Sequence, residues 1–117
     1  MVNAKANVTP EMLLWLAERM GLQATHLASC GAWYLTDNDH WLPFNPATDD
    51  AQFGRLVVWA LQQSLTVDNF GDFVRIWQYA GDATQFWDVP CDFTPDSIRA
   101  AAVVAICRAL GYEGEKE

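Results

Sequence analysis

Basic residues are scarce in this chain: 7 Lys and Arg stand against 15 Asp and Glu, and the formal net charge is −8. Between residues 20 and 98 the cations are Arg55 and Arg75, set against Asp37, Asp39, Asp49, Asp50, Asp68, Asp72, Asp82, Asp88, Asp92 and Asp96. Phosphate binding needs clustered Lys and Arg, so the acidic middle disfavours nucleic acid as a direct ligand and suits a basic protein partner. Glutamate is missing from that middle stretch. Aspartate is the acid that closes turns and caps helices, so part of the acidity reads as local punctuation.

Cysteine is also sparse. Cys30, Cys91 and Cys107 are far apart with no CxxC, which argues against a disulfide framework and against a zinc knuckle and fits a reducing compartment. The seven glycines are scattered, with neither Walker nor Rossmann spacing. No apolar run approaches the ~18 residues that span a bilayer, and MVNAKANVTPEMLLWLAERMG lacks a basic region followed by a purely apolar stretch. A cytoplasmic protein with no membrane contact is expected.

What is present is core-forming material. Hydrophobic residues make up 51% and charged residues 19% of the 117 positions, so the chain has ample apolar content for a packed core. One domain over 1–117 is expected, with 1–8 and 113–117 as flexible ends. Six Trp, six Phe and three Tyr are more aromatic surface than one core of this size hides, which places some of it at an interface.

Thr9-Pro10-Glu11 opens a helix with a hydroxyl cap, a proline whose missing N–H does no harm there, and an acid at the positive end; Gly21 ends it. Thr94-Pro95-Asp96 repeats that opening for an alanine-rich last helix, which stops at Gly111 and leaves Arg99 and Arg108 toward water. A middle helix is predicted from about Thr48 to Gln63, with Asn45 or Thr48 as cap and Asp49 and Asp50 in the first turn. Gly54 inside it implies close approach of a neighbour.

Four strands are readable. AWYLT and HWLPF flank the turn Asp37-Asn38-Asp39, while DFVRIWQYAG and ATQFWDVP form a second pair joined through Gly81-Asp82. In the third strand Val74 and Ile76 point one way and Phe73, Trp77 and Tyr79 the other, so both faces are apolar. The expected fold is α+β: a three-layer α/β/α sandwich with a mostly antiparallel sheet of about four strands and three helices.

FNPATDDAQFGRLVVWAL and SIRAAAVVAICRALGY resemble the phage ABA sandwich domain, in which an N-P-x-T-D stretch opens the middle helix and an alanine-rich helix closes the chain. NinX-like accessory proteins of lambdoid phages carry a similar pattern. The resemblance spans Pro10 to Tyr112 and departs at Phe44, where tryptophan commonly precedes the asparagine. It implies a layered sandwich and a phage or prophage origin, without an established activity.

Two function classes follow. The first is a non-catalytic accessory protein that binds a host or phage protein, with inhibition of a host process such as antiviral defence as one outcome. Its candidate contacts are Trp59, which falls off the stripe of Phe53, Val57 and Leu61, together with Asp37, Asp39, His40, Asp49 and Asp50. The second is a small metal-dependent hydrolase or nucleotide-processing enzyme using Asp37, Asp39 and His40, with Asp49 and Asp50 brought near by the hairpin. Turn chemistry accounts for the same residues with no metal or cofactor. Cys30 and His26, four residues apart, are a further pairing for nucleophilic catalysis, but a third orienting group and an oxyanion hole are not visible. Oligomeric state is left open, a homodimer included.

Overall fold

The computed structural model of the chain describes residues 7–27, 31–80 and 83–113. Its elements run α1 (Pro10–Arg19), β1 (Ala24–Leu27), β2 (Gly31–Leu35), β3 (Trp41–Pro43), α2 (Asp50–Gln62), β4 (Leu65–Asn69), β5 (Phe73–Ala80), β6 (Ala83–Pro90) and α3 (Pro95–Ala109). The class is α+β: three helices with two three-stranded antiparallel sheets, ordered β1-β2-β3 and β4-β5-β6.

All four expected strands form, but in two sheets instead of one, and each pair gains a strand. β1 adds to β2 with Thr25 opposite Trp33, and β4 adds to β5 with Val67 opposite Ile76. Both are short. β1 has four residues, and β4 follows α2 almost directly and ends in Asp68-Asn69, so neither shows enough alternation to stand out.

The outer helices begin and end as their sequences dictate. Thr9 Oγ1 accepts the Met12 N–H at 3.2 Å and Thr94 Oγ1 the Ser97 N–H at 3.4 Å. At the far ends Gly21 and Gly111 adopt φ +84 and +96. Their N–H groups reach Glu18 and Arg108 carbonyls, while Leu22 and Tyr112 N–H groups reach Ala17 and Cys107, two Schellman closures.

The middle helix starts later than expected, and its cap is Asp49. The Asp49 carboxylate accepts the Gln52 N–H at 3.0 Å. Asn45 instead builds the turn before it: Oδ1 accepts the Ala47 N–H and its carbonyl accepts the Thr48 and Asp49 N–H groups. Gln52 locks that turn onto β3, accepting the Asn45 N–H at 2.6 Å and donating to the Pro43 carbonyl at 2.8 Å. Arg99 is also not turned to water. Its side chain is 15% exposed and donates to the Ala47 carbonyl at 3.2 Å, to Asp50 at 2.6 Å and to Asp96. Gly54 is exposed, and a Cβ built there meets nothing within 4 Å, so close packing is not its reason.

One hydrophobic cluster unites the elements. Residues 101–107 of α3 are all buried, which is why that helix shows little polar striping. Beneath it Val74, Ile76 and Val89 are sealed from solvent. Truncating Ile76 to Ala there would cost about 3 kcal/mol. Leu56 and Ala60 carry α2 into the core beside β4, and Met12, Leu13 and Leu16 carry α1 onto β1 and β2. Val8, expected in a flexible end, packs partly against this core; residues 1–6 and 114–117 lie outside the described residues.

Candidate functional site

The strand period of two splits β5 between two environments. Val74 and Ile76 go under α3, whereas Phe73, Arg75, Trp77 and Tyr79 form the opposite face with Thr84, Phe86 and Asp88 of β6 and Asp68 of β4. Phe70, Tyr79 and Phe86 are about half exposed, with Phe86 at 51%, so this side of the sheet is open.

Arg75 is its centre. The Cys91 N–H donates to the Asp72 carbonyl, which marks that pair as hydrogen-bonded; counting back along the ladder makes Arg75·Asp88 and Trp77·Phe86 non-hydrogen-bonded pairs. Such pairs bring side chains closest. Arg75 accordingly grips Asp88 with two parallel bonds, Nε to Oδ1 at 2.7 Å and Nη2 to Oδ2 at 2.8 Å. Its guanidinium lies 4.2 Å from the Phe86 ring centre, 5.1 Å from Trp77, 5.5 Å from Phe73 and 5.7 Å from Phe70. Phe70 and Phe73 stack at 4.6 Å, and the Trp77 indole N–H donates to Asp68 at 2.6 Å.

The hydrogen bonds to Asp88 raise the pKa of Arg75 above its ordinary value, and the same bonds hold the Asp88 carboxyl below its own. With its cation matched, the face presents fixed rings around a neutralised charge. Asp68 and Asp88 outnumber Arg75 on this face, which leaves it with one net negative charge. Phe93, 75% exposed, lies over Gly71 at the end of the sheet.

The sequence candidates fall elsewhere in the fold. Asp37, Asp39 and His40 are exposed in the β2–β3 turn, where the Asp39 N–H meets the Thr36 carbonyl and the His40 N–H meets Thr36 Oγ1. Asp49 is the α2 cap and Asp50 pairs with Arg99. Trp59 is half-buried, packs partly on the core, and lines a shallow depression with Gly54, Arg55, Val58 and Gln62. Among the described residues no group of three or more His, Cys, Asp or Glu could hold a metal ion, so the hairpin acids and Asp49 or Asp50 do not assemble into one centre.

Cys30 and the His26 side chain lie outside the described residues. Cys107 is buried in α3, and burial pushes the Cys91 thiol pKa up, with Asp92 and Asp72 adding to it. That disfavours the thiolate a nucleophile needs. Among the described residues no buried side-chain nitrogen or oxygen lacks a hydrogen-bond partner, and no helix is long and apolar enough to cross a membrane. No family model, no curated protein and no solved structure matches the chain.

Sequence reasoning missed Arg75 and Asp88. The signal was there: Arg75 has the same strand parity as Phe73, Trp77 and Tyr79, and a charge within an apolar stripe marks a face that is not core.

Proposed function

We propose that this is a non-catalytic phage or prophage accessory protein that binds a basic host or phage protein in the bacterial cytoplasm, with inhibition of a host process such as antiviral defence as the outcome. The open face of β4–β6 is the contact surface. The observation that carries the reading is the placement of Phe70, Phe73, Trp77 and Phe86 around an Arg75 already matched by Asp88. Rigid aromatic anchors are the groups that dominate protein interfaces. The carboxylate of Asp68 on this face, on a chain of −8, complements a basic partner and disfavours nucleic acid.

The phage origin rests on the resemblance of the α2 opening and of α3 alone. The layered α/β/α arrangement of that family is part of the same proposal, with the bound partner supplying cover to the open face. Trp59, Asp37, Asp39 and His40 stand on other elements and serve as peripheral contacts.

Purifying the tagged chain and its Phe86→Ala variant from a bacterial host tests this. A basic protein retained by the wild type, depleted by the substitution and released by salt supports the reading. A partner held equally by both proteins removes the open face from it.

A further inference from the structure

The outer edge of β6 is unguarded from Thr84 to Val89, with Pro90 only at its end. Among the described residues β6 pairs with β5 alone, in unbroken one-to-one register from Ala83 to Pro90, so no bulge bends it away. Its eight residues include no Lys or Arg, and its one acid, Asp88, is bound by Arg75. Natural edges of this length are ordinarily blunted by lysines, bulges, prolines or cover.

The ladder also says which groups face outward. Because Cys91·Asp72 is a hydrogen-bonded pair, Val89, Trp87 and Gln85 bond to β5, and the N–H and C=O groups of Thr84, Phe86 and Asp88 point to the free side. Pro90 occupies the next outward position, where an N–H is not needed by β5.

We propose that this edge pairs with β6 of a second copy of the chain, antiparallel about a two-fold axis at Phe86. That register forms about six backbone hydrogen bonds. It sets Phe86 against Phe86 of the other copy and Asp88 against Thr84, so like charges do not meet despite the net −8. Charge selects this occupant: a basic strand from another protein would find no unmatched acid on β6, whereas a neutral edge is complementary to itself. The product is a continuous six-stranded sheet that places two aromatic faces side by side. The proposal stands whether or not those faces bind a partner.

Sedimentation of the purified full chain over a concentration series, with amide exchange on the same samples, tests it. The expected result is a monomer–dimer equilibrium in which the Phe86 and Asp88 amides gain protection as concentration rises. Gln85→Lys, which places like charges near the axis on an exposed side chain, shifts the equilibrium to monomer by at least tenfold. Thr84→Pro, which removes an outward N–H and no bond to β5, does the same; circular dichroism checks its fold, and Gln85→Lys decides alone if it unfolds. A monomer at every concentration leaves the edge to another protein's strand or to none and overturns the proposal. So does a dimer that Gln85→Lys leaves unchanged, or one in which the Phe86 amide exchanges freely.

Discussion

Arg75 and Asp88 face each other across β5 and β6 and are joined by two parallel hydrogen bonds of 2.7 and 2.8 Å. The pair fixes the guanidinium among four rings on a side of the sheet that α3 does not cover. It makes Arg75, the one cation of that face among the described residues, part of a mostly apolar surface.

The pair sets an acid dependence of stability. The Asp88 pKa is lowered in the fold by its hydrogen bonds to Arg75, so the stabilisation is complete above the ordinary carboxylate value of about 4 and is lost as pH falls through the folded-state value. Melting temperatures of the wild type and Asp88→Asn should differ at pH 7 and converge in acid. A difference that survives at the lowest pH contradicts the assignment.

Arg99 ties the start of α2 to the start of α3 through Ala47, Asp50 and Asp96. Arg99→Met should cost about 2 kcal/mol in urea unfolding, the scale of a partly buried charged hydrogen-bond set. Arg99→Lys should recover less than half, because one ammonium cannot reproduce the planar fork. Full recovery by lysine would reduce the role of Arg99 to its charge.

Gly54 sits in the exposed body of α2 with open space where a Cβ would be. Gly54→Ala should stabilise the fold by about 0.5–1 kcal/mol, read as a rise in melting temperature. A fall would show that something in solution packs against this position.

Ser64 joins α2 to β4 at φ +65, a conformation in which a side chain is strained. Ser64→Gly should add about 0.5–1 kcal/mol in the same assay, and Ser64→Val should lower stability. Equal stability of the three proteins would argue against a left-handed residue here.

Helix ends were the most legible part of the chain. Thr9-Pro10 and Thr94-Pro95 opened helices where their chemistry required, and Gly21 and Gly111 closed them. α2 was misread at its start because Asn45, Thr48 and Asp49 are all acceptable caps, and the Arg99 contact that braces the turn before Asp49 comes from α3. The sheet was harder. An apolar strand on both faces is compatible with cover on both sides or with one face left open, and burial separates the two. Arg75 was the residue in the string that favoured the second.

The most direct test of the open face is a calorimetric titration of the copurified partner into the wild type, Phe86→Ala and Trp59→Ala. The account predicts that Phe86→Ala weakens binding by about tenfold or more, about 1.4 kcal/mol, while Trp59→Ala changes it less than threefold. Unchanged affinity for Phe86→Ala, with binding lost in Trp59→Ala, would place the contact on α2 and contradict the account.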